Sequence, residues 1–259
     1  MEMMIDKIDQ RFYDMLDKTK FATNEKYASL KNFGRIIGNR TSTFHTIYRV
    51  MYKEEVGFID KNPFGTGIII KFDYVNKRVA LGVYKIEVIL PYDEFVEFLS
   101  IVDINYSPII PLYSFVELDE KFLDEDLQEM FKGRKQPYIV ITARKIKLPK
   151  EFENYIIDYL GRIWPYGEEK DNPPIIISNM MVKRVVSTGI SGEGEEIYSE
   201  KFLRKEQIEK KLISTAFMSE KFLDKYERDI GNIERKLVYN SSLVKKKKLN
   251  DNLEVGLVF

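Results

Sequence analysis

The spacing of apolar side chains changes period several times along the chain. Over 2–20, Met4, Ile5, Ile8, Phe12, Met15, Leu16 and Thr19 fall near one face of a 3.6-residue spiral, with Asp6, Lys7, Asp14, Asp17 and Lys18 on the others. This predicts an amphipathic helix. A shorter helical or irregular piece covers 25–37, where Gly34, Gly38 and Asn39 break the pattern. From 43 to 91 the period is two. Phe44, Thr46, Tyr48, Val50 and Tyr52 alternate with more polar neighbours, then Ile68–Tyr74 and Arg78–Tyr84 flank Asn76-Lys77, and Ile86–Leu90 follows a second reversal. Short loops between such runs predict an antiparallel meander, which Pro91 ends because it has no N–H for a ladder.

Helical spacing returns at 92–103, with Tyr92, Phe95, Val96, Leu99 and Val102 on one face. Pro108 and Pro111 bracket two isoleucines and predict an edge strand or extended loop. Further on, the pattern predicts a short helix over 120–131 stopped by Gly133, a central strand over 137–143, and a helix from Pro149 to 160 with Phe152, Tyr155, Ile156 and Tyr159 inward. Trp164 to Pro174 reads as a long loop pinned to the core by its aromatic residues. Strands are predicted at 175–178 and 181–186, a flexible turn at 189–194, and one or two charge-rich helices over 199–239. Glu-Lys-Phe-Leu recurs at 120–123, 200–203 and 220–223, each time after an N-cap residue, Asp119, Ser199 or Ser219. The unequal spacing points to three similar helix starts, not a solenoid. The fold class is therefore α+β: an antiparallel β-meander sheet with packed helices and a helical C-terminal region. The expected organisation is an N-terminal helical segment (1–42), an α+β core (43–190), and a C-terminal helical region (191–259) with a basic tail and an apolar terminus.

Composition narrows the chemistry. Among 259 residues there is no Cys and a single His, which excludes thiolate catalysis, disulfides, zinc–thiolate sites and any paired-His metal centre within one chain. No run of 18 apolar residues exists and the N-terminus has no apolar core of a secretory signal, so neither a transmembrane helix nor a leader is expected. The cytoplasm is the expected setting, with a virion the other. Lys+Arg and Asp+Glu both number 41, yet the charge is segmented. Residues 92–131 hold eleven acids and one Lys, whereas 132–150 hold seven cations and no acid. Those cations are Lys132, Arg134, Lys135, Arg144, Lys145, Lys147 and Lys150. Two readings follow: the acidic segment packs against the basic one, or the basic one faces a partner. Lys245, Lys246, Lys247 and Lys248 form a second basic run, unspecific as a phosphate contact. Val255, Leu257, Val258 and Phe259 form a terminal strand candidate, completing a sheet edge of this chain or adding a strand to a partner.

Catalytic patterns are weak. His45 lies in a predicted strand, where a lone His is more often structural than a general base. Asn62 to Gly67 lacks the Gly-Lys-Ser/Thr of a phosphate loop, and no G-x-S-x-G elbow occurs. Glu193, Glu195 and Glu196 read as a mobile acidic loop more readily than as a cation site. A metal-dependent nuclease would need acids and a lysine to converge; Asp73 with Lys85 and Glu87, or Asp103 with Glu117, are the loose candidates. No cofactor is implied and no small-molecule ligand is indicated. What remains favours a non-enzymatic protein-interaction protein, an inhibitor, assembly factor or structural component acting through shape and segmented charge. Its expected partner is another protein or a second copy. A nucleic-acid-associated protein using 132–150 and 245–248 is the alternative.

Overall fold

In the computed structural model, which describes residues 2–60, 67–123, 125–133, 136–149, 152–167 and 174–218, the first helical period becomes α1, Glu2–Leu16. Phe12 and Leu16 are fully buried on it. The Thr19 side chain accepts a hydrogen bond from Phe21 N and so opens a 3₁₀ turn, Lys20–Thr23, that seats Phe21 in the same core. Helices α2 (Tyr27–Gly38) and α3 (Thr41–Tyr52) follow. The meander is present as β1 (Gly57–Asp60), β2 (Ile68–Asp73), β3 (Arg78–Val83) and β4 (Val88–Pro91), antiparallel in that order. Helix α4, Tyr92–Tyr106, then packs against β3, β4, α1 and α2. Its Phe98 is fully buried, with ring centroids of Phe12, Phe21 and Phe33 at 6.5, 5.9 and 6.2 Å. These elements form the first of two compact units, Met1–Pro108 and Ile109–Phe259; the division falls inside the stretch read from sequence as a single core.

The period of two over 43–52 was misleading. That segment is α3, and its buried Phe44, Ile47, Tyr48 and Met51 follow i, i+3, i+4, i+7. Phe44 and Tyr48 belong to both patterns, and β-branched and aromatic residues carry strand preference that packing overrode. His45 accordingly lies on a helix. Gly34 does not break α2, since it stands inside the helix one turn before its last residue, Gly38, and the helix ends at Gly38–Asn39 as expected. A Cβ on Gly34 would lie 2.3 Å from Phe12 Cζ, and one on Gly38 would lie 2.3 Å from Tyr106 Cδ2. The missing side chains let α1 and α4 approach.

The second unit is built on a sheet of order β10-β7-β6-β5-β9. Its strands are β5 (Phe115–Leu118), β6 (Tyr138–Lys147), β7 (Tyr155–Ile163), β8 (Ile175–Ile177), β9 (Val182–Ser187) and β10 (Ile213–Ser214). One edge of β7 pairs with β6; the other is shared by β8, antiparallel at Tyr159–Gly161, and β10, parallel at Tyr155–Ile156. β6 extends the expected central strand to Lys147, and β5 was not foreseen. The helix expected over 149–160 is replaced by β7. Ile156, Ile157, Asp158 and Tyr159 are all buried, so the strand is covered on both faces and carries no alternation to read. The helix expected over 120–131 divides into a 3₁₀ turn, Glu120–Phe122, capped by Asp119 as expected, and α5, Glu125–Met130. The C-terminal helix begins at Glu193, not Ser199: α6 (Glu193–Ile197) runs into a π-helical stretch, Tyr198–Arg204, and then α7, Lys205–Glu209. Ser199 is therefore buried mid-helix instead of capping a start. The peptide Trp164-Pro165 is cis. Among the described residues no helix is long and apolar enough to cross a membrane.

The close approach at Gly38 is testable. Gly38→Ala should lower the stability of the first unit by about 1–3 kcal/mol, because the ring of Tyr106 must move away. Urea unfolding followed by circular dichroism measures it. Gly194→Ala, with open space around it, should leave stability unchanged or raise it slightly.

Candidate binding face of the second unit

The basic strand resolves into intrachain pairs. Lys145 Nζ lies 2.8 Å from Asp158 Oδ1, with side chains 5% and 0% exposed. Asp158 Oδ2 also accepts from Ser214 Oγ at 2.5 Å and from Asn179 N at 3.1 Å. Asn179 Oδ1 in turn accepts from Tyr159 Oη at 2.9 Å, and Ile110 N donates to that hydroxyl at 3.0 Å. Arg144 grips both carboxylate oxygens of Glu195 and donates to Ser199 Oγ at 3.3 Å. Its guanidinium sits 5.6 Å from the Tyr198 ring centroid. Lys147 Nζ reaches Glu206 Oε1 at 2.5 Å, an oxygen shared with Lys210 at 2.6 Å. Lys132 pairs with Glu129 at 2.9 Å, both exposed.

Lys132–Glu129 thus joins the acidic and basic segments, whereas the three cations of β6 take acids from 158, 195 and 206. Arg134, Lys135, Lys150, Lys245, Lys246, Lys247 and Lys248 lie outside the described residues. So do the terminal Val255, Leu257, Val258 and Phe259, residues 61–66, and the third Glu-Lys-Phe-Leu.

Strand register assembles a different surface. Phe115 on β5 is opposite Val140 on β6, which is opposite Arg162 on β7. One row along, Glu117 lies between Arg184 on β9 and Tyr138 on β6, and Trp164 N donates to Tyr138 O at 3.1 Å. One sheet face therefore carries Phe115, Tyr138 and Trp164 side by side, with centroids 4.8, 5.5 and 6.5 Å apart. Trp164 is 51% exposed and Tyr166 48%, so the loop is not pinned into the core by its rings. Beside Trp164 a cleft of about 310 Å³ opens between Val140, Thr142, Arg162 and Pro165. That volume matches the small end of ligand and side-chain pockets.

The rim of this face is charged. Glu117 is buried, and Lys183 Nζ and Arg184 Nε reach its two oxygens at 2.5 and 2.6 Å. The Lys183 contact, with Arg184 behind it, outweighs burial and holds the Glu117 carboxyl below its ordinary range. Arg144 does the same to Glu195, and Lys147 to Glu206.

The other candidates separate. Asp73 pairs with Arg78, whereas Glu87 N donates to Leu81 O and the Lys85 carbonyl lies against Gly82, so Lys85 and Glu87 sit toward the opposite end of the hairpin, about 10–13 Å along the strand from Asp73. Asp73 instead holds its own turn, accepting from Asn76 N at 2.9 Å and Asn76 Nδ2 at 2.7 Å. Asp103 is on α4 of the first unit and Glu117 on β5 of the second. Among the described residues no three His, Cys, Asp or Glu side chains cluster to hold a metal ion. Sequence reasoning did not connect Phe115, Tyr138 and Trp164, because only strand register brings them together. No known protein family, no curated protein and no solved structure matches this chain.

The carboxylates give a pH signature. Glu117 and Glu195 stay ionised in the fold at a pH where the unfolded chain already takes up protons. The stability they add is present above the ordinary carboxylate value of 4.5 and is lost as pH falls through their lower folded values. Urea melts of the second unit, followed by the emission of its single tryptophan, should hold a steady midpoint from about pH 7 to 5 and decline below. Glu117→Gln should lower the neutral midpoint and shallow the acid decline.

Proposed function

We propose that the chain is a non-enzymatic recognition protein, an inhibitor, assembly factor or structural component, that holds a protein partner on the open sheet face around Trp164. One observation carries this reading: three aromatic rings lie together on the strand-built face, with Trp164 half exposed beside a cleft that could admit one apolar side chain. Trp, Tyr and Arg dominate the energetics of protein interfaces because they bring large contact area with few rotors and a polar handle. Arg162 and the Lys183–Glu117–Arg184 cluster supply the polar rim that such a centre needs. The segmented charge supports the reading differently from its first form. The cations of β6 stabilise the unit, and the rim charges set orientation. A chain without cysteine suits the cytoplasm.

A second reading rests on the same rings. Aromatic side chains interleaved with arginine also suit the stacked bases of a single-stranded nucleic acid. It would use Arg162 and Trp164, which line the cleft; Arg144, Lys145 and Lys147 are engaged within the chain.

Trp164 is the chain's one tryptophan, so its emission reports on this face directly. Peptides selected from a random display library against the full chain should carry an aromatic or long apolar anchor and shift the emission to the blue on binding. By titration calorimetry they should lose at least about tenfold in affinity on Trp164→Ala or Tyr138→Ala, a loss of about 1.4 kcal/mol. An oligo-dT strand should leave the emission unchanged. Salt-sensitive quenching by the oligonucleotide, with no peptide response, would replace the protein reading with the nucleic-acid one.

A further inference from the structure

The helical stretch 193–209 carries a second exposed apolar surface, on a different element from Trp164 and independent of the reading there. Its inner side is fastened by polar contacts: Arg144 to Glu195 and Ser199, Lys147 to Glu206, and the buried Arg204 and Gln207. Its outer side exposes Ile197 at 37%, Tyr198 at 49% and Phe202 at 60%, and Ile190 just before the helix is exposed at 69%. Tyr198 and Phe202 stack, with ring centroids 5.9 Å apart and planes 27° from parallel. The wide π-helical turn lies under this pair. Such turns cost backbone hydrogen-bond quality and recur where a surface is used. Isolated apolar side chains need no explanation, but three within two turns, two of them aromatic, form a patch.

Charge along the same side identifies the occupant. The N-terminal end is acidic and exposed, with Glu193 and Glu196; toward the C-terminal end the exposed Lys201, Lys205, Lys210 and Lys211 outnumber the exposed Glu209, which lies 3.8 Å from Lys205. An order of acid, apolar centre, base is its own complement when reversed. Two copies placed antiparallel about a two-fold axis near Ser199 set Glu193 of each against Lys205 of the other and leave Ile197, Tyr198 and Phe202 in the middle. Parallel placement would put like charges together. A two-fold interface needs this kind of self-complementary patch. The opposed helix ends add to it, since each acidic N-terminus faces a basic C-terminus.

We infer that the helix 193–209 is an antiparallel, two-fold dimer interface between copies of this chain, centred on Ile197, Tyr198 and Phe202. Glu193, Phe202 and Lys205 are exposed in the single chain, so replacing them leaves the fold intact, and an unchanged circular dichroism spectrum verifies it.

Sedimentation velocity of the full chain over a concentration series tests the inference. The wild type should move from monomer to dimer with rising concentration. Phe202→Glu should raise the dissociation constant by at least about thirtyfold, corresponding to about 2 kcal/mol. Glu193→Lys and Lys205→Glu should each weaken the dimer, and weaken it more at low salt. The double variant carrying both reversals should recover most of the wild-type affinity, because the exchanged charges again face one another across the axis. A wild type that stays monomeric at every concentration would overturn the inference. So would a dimer indifferent to Phe202→Glu, or a double variant weaker than either single one. Peptide binding at Trp164 should persist in Phe202→Glu, which separates failure of this interface from failure of that face.

Discussion

Lys145 and Asp158 lie side by side between the two longest strands of the second unit, out of reach of water. An isolated charge in that position costs several kcal/mol, and the pair is tolerated only because each carboxylate oxygen has partners of good geometry. Those partners come from three places: β6 supplies Lys145, the turn after β8 supplies Asn179 N, and β10 supplies Ser214. The pair therefore ties together segments distant in sequence. Neighbouring contacts extend the same arrangement, since Arg144 and Lys147 hold the helical stretch 193–209 over the same strand.

This has a consequence for how the surface is used. A run of cations such as 144–147 suggests an exposed basic patch, but in the fold it meets Asp158, Glu195 and Glu206 and stabilises tertiary structure. In the reading proposed above, recognition falls to the rings on the open sheet face and to the apolar side chains on the outer side of the helix. Both surfaces sit on elements whose opposite sides are fixed by buried contacts. Rigid support of that kind reduces the ordering cost of binding.

The α+β class and the meander were legible in the sequence because β2 and β4 alternate and the turns of the meander are short. The helices over 2–16 and 92–103 were legible because their apolar side chains recur at helical spacing. The failures have one cause. Where a segment is buried on both faces, as β7 is at Ile156 to Tyr159, or where aromatic and β-branched residues fill a helix, as in α3, burial no longer follows a single period. The site was legible in part: the cations of β6 could be listed from sequence, but their partners lie 13, 51 and 59 residues away. Phe115, Tyr138 and Trp164 sit on three separate segments, and nothing local links them.

The dependence of the second unit on its buried pair is most directly measured by a double-mutant cycle on Lys145→Met and Asp158→Asn, read by urea unfolding with Trp164 emission. Each single variant should lose about 3–5 kcal/mol, since each leaves one group buried without its counterpart. The double variant should lose less than the two losses combined, by at least about 1 kcal/mol. Losses that simply add to within about 0.5 kcal/mol would contradict it, and would mean that the two charges stand side by side without depending on each other.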